Sequence, residues 1–180
     1  MLLRVSRPAI DSTSRVCCKP WSAWAQSRNY SPVLIGFLNF RSELLHTFDP
    51  AAPEIVFATP RTWSFVQEDL TDTTMSEDVR IASIAGSVGE GPATELMGFA
   101  KIMDSLAPIK EIIANPAKVP ISTEMDIQWA MGMHVSGNMT ADNVAPLHTF
   151  LARLQPEITV MAWTLALNRD EDLSDTKAFL

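Results

Sequence analysis

The chain has 180 residues, of which 47% are hydrophobic and 19% are charged, and its net charge at pH 7 is −7. This length and composition predict a packed globular protein and exclude a disordered acidic tail. The negative charge and the scattered basic residues argue against direct nucleic-acid binding, and no apolar run is long enough to predict a membrane-spanning helix.

The N-terminal segment, residues 1–19, is basic. It carries four basic side chains and one acidic side chain: Arg4, Arg7, Arg15, Lys19 and Asp11. We expect an irregular or truncated N-terminal segment here, with an organelle transit segment as the alternative. The two cysteines, Cys17 and Cys18, are adjacent, so a disulfide between them would be strained and no Cys-x-x-Cys pair exists. A reducing, cytoplasmic location is therefore expected.

Apolar residues recur at helical spacing from about residue 20 onward and rarely alternate, which predicts an all-α bundle of about seven to nine helices. A first short helix carries Trp21 and Trp24 and ends near residues 28–29. Ser31 is expected to cap a second helix with Pro32 at its first position, and the apolar stripe of this helix continues to residue 45. The prolines of residues 48–60 predict a connecting loop.

Thr59 and Pro60 resemble the cap and first residue of a third helix, which carries Trp63, Val66 and Leu70 on its apolar face. This arrangement places Arg61 in the first turn. The acidic residues between 68 and 78 have no basic neighbour, and a solvated loop explains them better than a calcium site because the alternating oxygen ligands and the turn glycine are missing.

A fourth helix ends at the glycines of residues 86–91. Gly86, Gly89 and Gly91 invite comparison with a phosphate-binding loop, but their spacing is wrong and they follow a helix, so a helix–helix corner is predicted. The remaining apolar stripes predict helices over 96–106, 109–113, 125–133, 144–154 and 158–165, a proline-containing link over 116–121, and an exposed end over 170–180. Residues 20–180 are expected to form one helical domain, with 20–115 and 121–180 as possible sub-lobes.

The residue types needed for catalysis are not grouped in the sequence. His46, His134 and His148 stand alone, which favours ordinary packed or surface imidazoles over metal ligands, and no metal site is predicted. No Gly-Lys pair and no apolar strand ending in Asp-Glu is present, so the chain lacks the residues that hold ATP phosphates and magnesium. The four methionines at 125, 131, 133 and 139 favour core packing, with an adaptable docking surface as the alternative.

Several motifs resemble MoxR-like AAA+ ATPases of the phage and prophage type. They comprise VLIGFLNFRSELLHTFDP at 33–50, FATPRTWSFV at 57–66, IAGSVGEG at 84–91 and IIANP at 112–116, and the resemblance runs from about Trp21 to the C-terminus. In that family a helical lid follows the nucleotide-binding core, and a Pro-Arg pair at the start of a lid helix carries the second sensor arginine. By resemblance that arginine is Arg61, serving both cofactor binding and catalysis, although an exposed arginine or one paired with Glu54 is the structural alternative.

The resemblance implies a chain that forms the lid of an AAA+ motor and lacks its core. ATP and Mg²⁺ would be cofactors of the complete ATPase, and no activity is expected from this chain alone. The implied partners are an AAA+ core or like subunits in an oligomer, and a client protein that the motor remodels. A free-standing helical interaction module without nucleotide binding is the alternative, and an independent enzyme is the weakest hypothesis.

Overall fold

The computed structural model describes residues 18–51, 53 and 55–176, with side chains described from Pro20 onward. The basic segment expected over 1–19 therefore lies almost entirely outside the described residues. Within them the chain forms nine α-helices and no strand, which confirms the predicted all-α bundle. The helices are α1 Cys18–Ser27, α2 Pro32–Phe40, α3 Thr62–Thr71, α4 Glu77–Val88, α5 Glu90–Ser105, α6 Ile109–Ala114, α7 Met125–Asn138, α8 Val144–Leu151 and α9 Pro156–Arg169.

Local sequence signals set several of these boundaries. The Ser31 hydroxyl accepts a hydrogen bond from the Val33 amide, and Pro32 begins α2, as predicted. Asn29, with φ of 56°, turns the chain between α1 and α2. Gly89, with φ of 98°, turns it between α4 and α5, so the glycine-rich stretch is the predicted helix corner.

Helix α2 is shorter than its apolar stripe indicates. It ends at Phe40, and a separate 3₁₀ helix, Ser42–Leu45, follows. Arg41 leaves the helical conformation between these two elements, with φ of −113° and ψ of 60°, and its side chain pairs with Glu43 and Glu95. The break lets Leu45 reach the core, where it is fully buried.

Helix α7 lies at the centre of the bundle and packs against α2, α5, α6, α8 and α9. Its buried residues are therefore not confined to one face. The sequence predicted a stripe through Met125, Trp129 and Met133, but Met125 is about half exposed (48%) whereas Met133 is buried. Met139 is buried as well, so the methionines do not share one docking surface.

The C-terminal end differs from the prediction in one respect. Residues 171–175 form a 3₁₀ helix that packs on α9, and Leu173 within it is completely buried. The predicted exposed end over 170–180 is therefore wrong for Leu173, which returns to the core, whereas Glu171, Asp172 and Asp175 are exposed. No helix in the described part of the chain is both long and apolar enough to span a membrane.

Candidate functional site

The first turn of α3 is built by two threonines that cap each other. The Thr59 hydroxyl accepts a hydrogen bond from the Thr62 amide at 3.1 Å, and the Thr62 hydroxyl accepts one from the Thr59 amide at 2.8 Å. The Thr59 carbonyl also accepts the Trp63 amide at 3.0 Å, which is the first helical bond. This reciprocal pattern is that of a capping box, and it forms the turn that leads into α3, whose first helical residue is Thr62 rather than the predicted Pro60.

Arg61 lies inside this turn with helical backbone angles, φ of −74° and ψ of −44°. Its side chain is exposed and makes no hydrogen bond or ion pair with another described residue. Glu54, the acid considered as its structural partner, lies outside the described residues. A cation at a helix N-terminus gains nothing from the helix dipole, so helix stability gives no reason for an arginine here.

The turn that carries Arg61 is anchored to the core by Trp63. Trp63 is fully buried, and its indole Nε1 donates a hydrogen bond to the Leu44 carbonyl at 2.9 Å. Its ring also meets Phe37 of α2 edge to face, with centroids 6.0 Å apart. These contacts fix the orientation of α3 relative to α2. They therefore also fix the position of the Arg61 backbone.

Phe65 joins Arg61 on the solvent face of α3. Arg61, Phe65 and Glu68 are exposed at intervals of four and three residues, whereas Trp63 and Val66 face the core. The helical spacing of Arg61 and Phe65 could have indicated this face from the sequence, but Phe65 was not recognised as part of it.

The connection that precedes α3 adds further exposed apolar side chains. Its two ends are joined by the Thr47 amide, which donates to the Ala58 carbonyl, and by the Ala58 amide, which donates to the Thr47 hydroxyl, both at 2.9 Å. Between these ends three apolar side chains are strongly exposed: Phe48 (50%), Ile55 (93%) and Val56 (40%). Grouped apolar exposure of this kind is typical of interaction surfaces.

The acidic segment that follows α3 is organised by a basic side chain of the protein itself. Arg80 donates hydrogen bonds from its guanidinium to the carbonyl oxygens of Asp69, Asp72 and Met75. Asp72 accepts bonds from the amide and hydroxyl of Thr74, which lower the pKa of its carboxyl. Arg80 therefore stabilises this turn. The sequence did not predict this role, because Arg80 lies outside the acidic run.

The three histidines lie in different segments of the chain and have different surroundings. Burial lowers the pKa of His134, and its Nε2 has no hydrogen-bond partner. His148 packs beside Trp163, and its Nδ1 is also buried without a partner. His46 lies beside Phe48. In the described residues no three histidine, cysteine, aspartate or glutamate side chains lie close enough together to hold a metal ion.

No protein-family model matches this chain, and neither a curated protein nor a solved structure matches it. Among the described residues, the arrangement best suited to a ligand is the Arg61 guanidinium, which pairs with no other described side chain. It lies at the start of α3 beside the buried Trp63, with the exposed Phe65 one turn along the helix.

Proposed function

We propose that this chain is the lid portion of a MoxR-like AAA+ ATPase and that Arg61 is its sensor arginine. The observation that carries the proposal is the exposed Arg61 guanidinium at the start of α3, which pairs with no other described residue. A guanidinium presents several N–H donors in a planar fork that matches phosphate oxygens. Arg61 would thus contact the terminal phosphate of ATP supplied by a core on another polypeptide, and loss of that phosphate would remove the contact.

The nucleotide site would be only partly contributed by this chain. Arg61 fits the role of a phosphate contact because it is exposed and donates to no other described residue, whereas the sequence has no Gly-Lys pair to cradle phosphates. ATP and Mg²⁺ would bind the core, where the metal neutralises developing charge on the phosphates. The partners in this proposal are that core, in a cytoplasmic oligomer, and a client protein remodelled by the motor.

The test requires the core polypeptide, which should contain a Gly-Lys-Thr phosphate loop. This partner is captured from cell extract by the tagged chain in the presence of ATP. Its rate of ATP hydrolysis is measured with the unmodified chain, with Arg61→Ala and with Arg61→Lys. A charge-assisted hydrogen bond contributes about 1.5–3 kcal/mol, so Arg61→Ala should lower the rate by about 10- to 100-fold. Arg61→Lys should recover part of the rate, because it keeps the charge but not the fork.

Lys118→Ala is the matched control, because Lys118 is another exposed basic residue that lies far from α3 in the sequence. This variant should hydrolyse ATP at the unmodified rate. Recovery of no such partner, or an equal rate with Arg61→Ala and Lys118→Ala, would contradict the sensor role. Circular dichroism of each variant establishes that helicity is unchanged.

A free-standing interaction module is the second candidate, and the exposed Phe48, Ile55, Val56 and Phe65 favour it specifically. In this case the chain binds a partner through apolar contacts, without nucleotide. Phe65→Ser should then abolish capture of that partner whereas Arg61→Ala should not, and adding ATP should change nothing. Capture that requires both ATP and Arg61 would instead favour the lid.

A further inference from the structure

A groove of about 200 Å³ lies between α2, α5 and α7, and Arg61 is not part of it. Its floor is apolar and includes Phe40, Phe99 and Ile102, and its rim carries Arg41, Glu95 and Asp126. This volume is comparable with that of one large side chain, so the groove can accommodate a single group.

The floor contains two phenylalanine rings, of which Phe40 is partly exposed whereas Phe99 is buried. The rings of Phe40 and Phe99 are nearly parallel, at 22°, with centroids 6.4 Å apart. Phe40 also contacts Trp129 of α7, with ring centroids 5.5 Å apart, which fixes its orientation. Because the faces of aromatic rings are electron-rich, a cation resting on the accessible part of Phe40 is attracted to it.

The rim carries more negative than positive charge. Arg41 pairs with Glu95 across the end of the groove at 2.5 Å, and its Nε also binds Glu43 at 2.6 Å. Asp126 has no ion pair with a described residue, and its Oδ1 accepts only the neighbouring Ile127 amide. One carboxylate at the rim is therefore left to attract a cation, in a chain whose net charge is −7.

We propose that this groove binds the side chain of an arginine presented by a partner protein. The aliphatic stem would lie against Ile102 and the flat guanidinium against Phe40, with Asp126 as its counter-ion. A metal ion is a poor occupant, since no trio of metal-ligating side chains occurs in the described residues. The inference concerns a different surface from the Arg61 turn and does not depend on the proposed lid function.

Gly98 provides a way to block the groove without disturbing the fold. It is an exposed residue of α5 on the groove wall, and a Cβ added there would meet no atom within 4 Å. Gly91 lies on the same helix with equally open surroundings but outside the groove. Gly98→Leu and Gly91→Leu are therefore matched variants. Both add a leucine to an exposed position of α5, but only Gly98→Leu adds it to the groove.

The experiment is a titration of the ¹⁵N-labelled full chain with N-acetyl-arginine methylamide, followed by amide chemical shifts. We expect the amides of Gly98, Phe99, Ile102 and Asp126 to shift with saturation at millimolar probe. Asp126→Asn should weaken binding about tenfold, a difference of about 1.4 kcal/mol. Gly98→Leu should abolish the shifts, and Gly91→Leu should leave them unchanged.

Two further probes define the occupant. N-acetyl-norleucine methylamide should cause no saturable shift, because it lacks the charge, and a helical peptide with one arginine between leucines should bind more tightly than the capped arginine. Equal binding of norleucine and arginine, or binding to Gly98→Leu, would overturn the proposal. If the peptide binds no more tightly than the capped arginine, the groove takes a free small molecule and the partner-protein inference is wrong.

Discussion

Gly132 and Gly86 lie inside helices with opposite surroundings. A Cβ at Gly132 of α7 would come within 2.5 Å of Ile158 Cγ2 on α9, whereas a Cβ at Gly86 of α4 would meet no atom within 4 Å. The first glycine therefore permits the close approach of two helices. The second has no such packing role.

Alanine substitution should separate the two roles. Gly132→Ala should lower the free energy of unfolding by about 1–2 kcal/mol, because overpacking outweighs the gain in helix propensity. Gly86→Ala, the matched control, should raise it by about 0.5–1 kcal/mol, since only propensity changes. Urea denaturation measures both values, and a stabilising Gly132→Ala would show that α7 and α9 can move apart without cost.

His134 is expected to make the protein less stable in mild acid. Burial lowers its pKa below the ordinary 6.5, so the unfolded chain binds a proton more readily than the folded one. Stability from neutral His134 is complete above that ordinary pKa and is lost as the pH falls below it. Between about pH 7.5 and pH 5.5, the unmodified chain should therefore lose more unfolding free energy than His134→Gln. Equal losses in urea denaturation would contradict this, since the carboxylates are common to both chains.

At the scale of elements, α9 is tied to α7 by Arg169. Its guanidinium donates to the Ser136 carbonyl at 2.6 Å and to the Met139 carbonyl, both at the end of α7 where carbonyls lack helical partners. A positive charge there also complements the helix dipole. This link could not be predicted from the sequence, because the residues lie about thirty positions apart.

Loss of the link should destabilise the bundle. Arg169→Met keeps the aliphatic stem but removes two charge-assisted bonds, and it should lower the free energy of unfolding by about 1.5–3 kcal/mol. Arg61→Met is the control, because the Arg61 side chain has no partner among the described residues, and its effect should stay within about 0.5 kcal/mol. Equal midpoints of thermal unfolding for the two variants would refute the role of Arg169.

At the scale of the whole molecule, the described residues form two apolar clusters that share helices. The first is built mainly from α1 to α5 but includes Ala130 and Met133 of α7 and Leu165 of α9. The second is built from α6 to α9, and Trp129 packs against both clusters. A domain boundary between residues 115 and 121 would separate Ala130, Met133 and Leu165 from the rest of the first cluster. The division into sub-lobes remains a prediction.

A fragment of residues 20–115 tests that division. Without α7 and α9 the fragment would expose the core surface that they cover, so we expect it to have lower helicity per residue than the full chain. Its unfolding should also be less cooperative. Circular dichroism during urea titration measures both properties. A fragment with a sharp transition and full helicity would establish 20–115 as an independent lobe.

The sequence alone determined the fold class and the starts of several helices, because helical periodicity, Ser31-Pro32, Thr59 and Gly89 act over a few neighbouring residues. It also placed Arg61 close to the start of α3, where it directly precedes Thr62. It could not determine the exposure of Met125, the burial of Leu173, or the groove between Arg41 and Asp126. Those features depend on which helices meet around α7, and only the tertiary structure brings such distant residues together.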